Sequence, residues 1–197
     1  MPELKARQRR ILRWLGSRGI RQSPYAHGFA RGRSTATNAA AHVGRRVILK
    51  ADIKDFFDNV PHDKLMDFIR IRIRDSAMLE LLERFLKAGY VDDGRLIRTE
   101  CGTPQGSIIS PLLSNIFLHY VLDLWFEETV KKHMDGYCEL IRYADDFVCA
   151  VRYEEDARRI EEALKNRFKK FGLEIHPANS RAISFGRFEG ENADRQG

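Results

Sequence analysis

The chain has 197 residues, of which 43% are hydrophobic and 31% charged, with a net charge of +6. That is enough for one domain with a real core, and the composition is that of an ordinary globular protein; no apolar run is long enough to span a bilayer. Cys101, Cys138 and Cys149 are odd in number and widely spaced, which argues against a disulfide framework or a zinc site and for reduced thiols in the core or strands.

Charge is spread unevenly. Residues 1 to 46 hold 11 Lys and Arg against the single acidic Glu3, so this basic N-terminal segment is set apart from the rest of the chain. Such a concentration suits a polyanion, nucleic acid above all, although a solvated basic helix is the plainer alternative. The N-terminus lacks the apolar segment and small-residue cleavage site of a secretory signal, and a cytoplasmic location is expected.

In chain order, residues 3 to 15 place Leu4, Ile11, Leu12, Trp14 and Leu15 among basic residues, the pattern of a helix with a narrow apolar face. "YAHGFARGRS" is a Gly and Arg loop, after which Ser34 is a candidate N-cap for a helix over "TATNAAAHVG". "VILKADI", residues 47 to 53, is short and β-branched, a buried strand ending near Asp52. "PHDKLMDFIRIRI" and "SAMLELLERFLKAGY" read as helices, and "YVDDGRLI" as a small hairpin with an Asp-Gly turn.

"SPLLSNIFLHYVLDLWFEETVKKHM", residues 110 to 134, opens with Ser-Pro and is apolar on most faces, as a long buried helix would be. Strand "CELIRY", the adjacent Asp145 and Asp146, strand "FVCAVR", an amphipathic helix over 154 to 171, Gly172 as its stop and strand "LEIH" complete the pattern. The core order is therefore β, α, β, β, α, β. This predicts an α+β fold with a ferredoxin-like βαββαβ core, an antiparallel sheet with its helices packed on one face.

In that topology the first strand neighbours the central hairpin, so Asp52 comes close to Asp145 and Asp146. Taken alone, the adjacent aspartates are explained equally well by a hairpin turn. Three convergent carboxylates form a site for hard divalent cations such as Mg²⁺. Two such ions can stabilise the attacking and leaving oxygens of a phosphoryl displacement, with Asp52 and Asp145 bridging and Asp146 supporting.

"DIKDFFDNV", "GTPQGSIISPLLSNIFL", "RYADD" and "FGLEIHPANSRAISFGRF" resemble, in order and spacing, the motifs of reverse transcriptases, most closely those of bacterial group II introns. "HGFARGRS" looks like the same lineage, whereas "NAAAH" resembles a retron motif. The resemblance covers roughly residues 25 to 188 and implies a polymerase palm over 47 to 188, preceded by a remnant of the fingers and followed by a polar tail, 189 to 197. It implies an RNA-directed DNA polymerase using two Mg²⁺ ions, or Mn²⁺, with an RNA template, a DNA or RNA primer and dNTPs.

Position by position, Asp52 and Asp145 resemble the metal ligands, joined by the Ile53 carbonyl. Phe57 matches the bulky residue that crowds the 2′ position of the nucleotide; a plain core role stays open because Phe56 is adjacent. Gln105 and Gly106 match positions near nucleotide and template, and Gly102 and Gly106 would allow close approach of a strand, although a buried turn explains the glycines equally well. Tyr143 corresponds to a residue near the primer end, with Arg142 beside it as the partner of a neighbouring carboxylate. Arg31, Arg33 and Arg181 are candidates for phosphate or nucleotide contact; His27, His42 and His62 lack metal-ligand spacing.

The family carries further fingers before "HGF" and a thumb after "FGRF"; a homo-oligomer, a separate chain supplying those parts, or a structured intron or retron RNA would complete the assembly. Group II-like relatives usually have Lys at the position of Asn179 and Thr at that of Ser180. Asn cannot serve as a general acid toward pyrophosphate, and the guanidinium of Arg181 offers charge without proton transfer. The alternative expectation is a catalytically weak or inactive palm-fold RNA-binding component of an intron or defence ribonucleoprotein. An RNA-recognition motif shares the element order, but its central strands should carry exposed aromatics where this hairpin carries acids.

Overall fold

The computed structural model describes residues 2–17, 23–30, 32–41, 43, 47–92, 95–97, 101–103 and 107–184. Val47–Ala51, rich in β-branched residues, forms strand β1, buried at every position except Lys50. It lies between two antiparallel partners. On one side β5 (Asp146–Val151) pairs Leu49 with Cys149 and Ala51 with Phe147; on the other β6 (Arg181–Ser184) pairs Lys50 with Arg181. Strand β4 (Cys138–Tyr143) completes the sheet beyond β5, in the order β4, β5, β1, β6. This is the ferredoxin-like arrangement read from the sequence, and an α+β palm.

Alternation along the strands sorts the two faces. Leu49, Ala51, Phe147, Cys149, Leu140 and Arg142 are buried and turn toward the helices. The largest helix on this face, α7 (Glu154–Lys169), begins with three acidic residues, ends with basic ones, and buries Ile160, Leu164 and Phe168. Phe168 meets Phe147 edge-on at 5.9 Å, and Gly172 ends the helical run at φ 69°.

The sequence places the last core strand at "LEIH", and the structure corrects this. Leu173 is drawn into the core and Ile175 makes a single bridge to Ile53. Pro177, which has no amide to donate, and a turn through Asn179 then break the ladder, and the paired strand is Arg181–Ser184. The long helix also departs from expectation. It is regular only as α6 (Ser110–Leu118) and continues through wide π turns at His119–Asp123 and Phe126–Val130 and a tight turn at Lys131–His133. Arg167 of α7 supplies a physical reason, donating Nε to the Val121 carbonyl at 2.9 Å and Nη2 to the Tyr120 carbonyl at 3.2 Å. Those carbonyls are thereby satisfied from outside the helix.

The remaining elements surround this core. Helix α1 (Pro2–Ser17) buries Ile11 and Leu15 in the common apolar cluster, and its Gln8 side chain accepts the Ile108 amide at 3.2 Å. Lys5, Arg9, Arg10 and Arg13 stay exposed on it. Ser34 does cap α2 (Thr35–Ala40), reciprocally with Thr37, but the helix is shorter than the sequence pattern suggests. An unexpected short turn, α3 (Phe56–Asn59), precedes α4 (His62–Arg72) and α5 (Ser76–Lys87), which is capped by Asp75; β2 (Tyr90–Asp92) and β3 (Arg95–Ile97) form the small hairpin. Cys138 and Cys149 are buried free thiols, whereas Cys101 is exposed. Among the described residues no helix is long and apolar enough to cross a membrane.

If Arg167 satisfies the opened helix, Arg167→Met should destabilise the fold by about 1–3 kcal/mol, the usual cost of orphaning buried acceptors. Urea denaturation at neutral pH measures this, and a midpoint equal to that of the parent would refute the role.

Candidate active site

The site is built at the tip of the β4–β5 hairpin. Tyr143 pairs with Asp146, so only Ala144 and Asp145 form the turn. Ala144 adopts φ 58°, a left-handed conformation that a non-glycine residue takes at a cost of roughly 1–2 kcal/mol. Because Ala51 is level with Phe147, the next residue of the first strand, Asp52, comes level with Asp146. The register thus brings the positions of all three aspartates to the same end of the sheet.

Electrostatics reflect that meeting. Burial, and then the nearby charges of Asp52 and Asp146, push the Asp145 carboxyl above its ordinary range. The other two aspartates have cationic or polar neighbours. Lys50 Nζ stands 3.9 Å from Asp146 Oδ1, and Asn179 Nδ2 donates to Asp52 Oδ2 at 3.1 Å. The turn bearing Asn179 is bound to Asp52 through the backbone as well: the His176 amide donates to the Asp52 carbonyl at 2.8 Å, and the Asp52 amide to Ser180 Oγ at 3.4 Å.

The donor set suits a hard divalent cation, since it consists of carboxylate oxygens and leaves Asp145 with charge that its surroundings do not compensate. In the present arrangement, however, no three His, Cys, Asp or Glu side chains among the described residues are gathered closely enough to hold an ion. Asp52 would first leave Asn179, and Asp146 would leave Lys50. Ile53 is buried and bridges Ile175. The flanking hydrogen bonds use the Asp52 carbonyl and the Lys54 amide, so neither engages the Ile53 carbonyl.

The structure decides between the adjacent phenylalanines: Phe56 is core, and Phe57, packed edge-on against it at 5.4 Å, is the partly exposed ring. Tyr143 is 38% exposed and lines a cavity of about 270 Å³ with Thr35, Asn38, Lys50, Asp146 and Val148. Arg33 and Arg181 are exposed, Arg181 beside Lys50 in the ladder. Arg31, Gln105 and Gly106, with Pro104 and His42, lie outside the described residues.

Gly102 receives a different explanation from the one its motif suggests. At φ 93°, a Cβ here would lie 3.0 Å from the Asp58 carbonyl oxygen and 3.1 Å from that of Phe57. The close approach is to the protein's own chain, where the Thr103 amide donates to the Phe57 carbonyl at 2.7 Å and holds the turn carrying the Phe57 ring.

The sequence pattern does not single out Lys50, Gly28, Asn115 or Asp123 as surroundings of the site, and it gives Arg142 a neighbouring carboxylate without saying which. Its partner is Asp123, at 2.8 Å in the fully buried interior. A signal was available, since Cys138, Leu140 and Arg142 share the inward face by alternation and Asp123 interrupts an apolar helix. Two charges at inward positions of adjoining elements imply each other.

A family model described as "Reverse transcriptase (RNA-dependent DNA polymerase)" matches residues 4–188. This chain belongs to the reverse transcriptase family. It is 33% identical over 205 residues to the retron Mx162 reverse transcriptase of Myxococcus xanthus, covering 94% of this chain and 41% of that one. It is 43% identical over 98 residues to the group II intron-encoded protein LtrA of Lactococcus lactis, covering 48% of this chain and 16% of that protein. This reverse transcriptase chain therefore spans less than half the length of those relatives, which come from the group II intron and retron lineages. Telomerase from Candida tropicalis, solved with a fragment of telomeric RNA, shares the fold at a TM-score of 0.62 and 13% identity, covering 95% of this chain and 34% of that one.

The raised Asp145 carboxyl predicts a pH signature. The folded state binds this proton more tightly than the unfolded chain, so ionised Asp145 lowers stability above its ordinary value near 3.8. Asp145→Asn should therefore melt higher than the parent at pH 7, with the gap closing as pH falls below about 4. Millimolar Mg²⁺ should also narrow the gap at pH 7 by stabilising the parent selectively; thermal melts that show no gap at pH 7 would contradict the assignment.

Proposed function

We propose that this chain is the catalytic palm of an RNA-directed DNA polymerase, joining a dNTP to a primer 3′ hydroxyl on an RNA template. The observation that carries this reading is the convergence of Asp52, Asp145 and Asp146 at one end of a rigid sheet, with Asp145 left uncompensated. Asp52, Asp145, Asp146 and the Ile53 carbonyl would hold two Mg²⁺ or Mn²⁺ ions. When bound, such ions neutralise charge on the transferring phosphoryl group and on the attacking and leaving oxygens.

The chain's own residues would do the positioning. Phe57, half-exposed and braced by Phe56, crowds the 2′ position and favours deoxyribonucleotides. Tyr143 supports the primer end, and Gln105 and Gly106 contact nucleotide and template. Arg31, Arg33, Arg181 and the exposed basic side of α1 meet phosphate, which makes RNA the natural partner of the N-terminal segment. Elements from a second chain or from a structured RNA would complete the grip on the duplex, because positioning supplies most of the catalysis in phosphoryl transfer.

A second reading, an RNA-binding palm with weak or no turnover, is favoured by one observation: Asn179 occupies the Asp52 carboxylate where relatives usually have a lysine, and it cannot donate a proton to pyrophosphate. Primer extension on an RNA template with Mg²⁺ separates the two. The polymerase reading expects incorporation that falls by about three orders of magnitude in Asp145→Ala/Asp146→Ala, the effect of losing several kcal/mol of charge stabilisation. Equal incorporation by both proteins would remove it. The binding reading expects no extension by either, with salt-sensitive RNA affinity that survives the double substitution.

A further inference from the structure

Arg142 is the largest fully buried side chain among the described residues. It lies on β4 one residue before Tyr143, turned inward. Its guanidinium clasps Asp123, with Nε to Oδ1 at 2.8 Å and Nη2 to Oδ2 at 2.9 Å, the bidentate fork that fixes direction as well as distance. Nη1 reaches Asn115 Oδ1 at 2.6 Å and the Ala144 carbonyl at 3.3 Å, and Nη2 also reaches the Asn115 carbonyl at 3.4 Å. One buried cation thus connects the long helix to the first residue of the aspartate turn.

The other side of the turn is held through the same residues. Asn115 donates Nδ2 to the Gly28 carbonyl at 3.1 Å. A Cβ on Gly28 would stand 2.4 Å from the Ala144 amide nitrogen, so the backbone at Gly28 is pressed against the turn. The Arg142 amide and carbonyl bond to Tyr25 and His27 at 2.9 and 2.8 Å. Asp123 is fixed from further directions: although burial opposes it, Arg142, His119 and Ser23 hold its carboxyl below the ordinary range.

A buried ion pair adds little stability compared with well-packed apolar residues of the same size, so its presence calls for another reason. That reason lies in Ala144, whose φ of 58° is a strained conformation that persists only where neighbours over-determine it. We infer that Asp123, Arg142 and Asn115, with Gly28, form a positioning device that locks Ala144 in the left-handed region and so aims the Asp145 carboxylate toward Asp52 and Asp146.

The test replaces the pair by apolar residues of similar size, Asp123→Leu/Arg142→Met, in the full chain. Three quantities are read: the melting temperature, the Ala144 φ from its amide to Hα coupling and carbon shifts, and the kcat and KM for dNTP in primer extension with Mg²⁺. The expected result is a melt close to the parent's, loss of the left-handed Ala144 signature, and a kcat lowered about tenfold or more at nearly unchanged KM. Parental kcat with Ala144 still left-handed would overturn the inference. Only the kinetic arm rests on the polymerase reading; a parent protein without extension activity would sink that reading while the Ala144 signature still decides this one. Should the double variant not fold, Asn115→Ala, which leaves the ion pair in place but removes its link to Gly28, is judged by the same Ala144 signature.

Discussion

Repulsion between carboxylates is the constraint that the palm has to meet. Two unit charges about 4 Å apart repel by about 4 kcal/mol at an effective dielectric near 20, and a flexible loop would simply relax by swinging them apart. Here the three aspartates sit where the backbone cannot move away. Asp145 lies in a turn with Ala144, closed by the Tyr143 and Asp146 pair, and Asp52 follows a strand paired on both sides. Burial first, and the charges of Asp52 and Asp146 after it, raise the Asp145 carboxyl, so the tip carries negative charge that the fold does not fully relieve.

The stiffness comes from the layer behind the sheet. The π turn at His119–Asp123 inserts an extra residue into the helix, which rotates the faces on either side of it relative to one another. Asp123 within that turn meets Arg142 on β4, while the carbonyls of Tyr120 and Val121 turn to Arg167 on α7. One irregular stretch of helix is therefore bonded to the sheet through its side chain and to the neighbouring helix through its backbone.

Much of this was legible in the sequence because it depends on local pattern. The β-branched run before Asp52, the acidic interruption between two apolar strands and the capping residue Ser34 each have one strong local explanation, and the strand order followed from the element order. The last strand was misplaced because "LEIH" alternates as well as "RAIS" does; only the tertiary demand for Leu173 in the core and the missing amide of Pro177 decide between them. The π turns carry no local residue signal, and the Arg167 that bonds two carbonyls of the first of them lies distant in sequence. Phe57 could not be told from Phe56 by period, since which ring stays partly exposed is set by the α3 turn and the Gly102 backbone pressed against it.

Asn179 and Lys50 carry the reasoning one step further. In the sequence Asn179 looks like the loss of a proton donor. In the structure it is a hydrogen-bond donor to Asp52, and Lys50 places an ammonium beside Asp146 on the same open face. Neutral amide and ammonium are the kinds of group that stabilise carboxylates without a divalent ion. Both contacts involve exposed or half-exposed side chains, and the Lys50 contact is long, so each contributes little stability of its own. The same two residues therefore quiet the charge of the tip, so its electrostatic balance rests on one pair of contacts on the open face of the sheet.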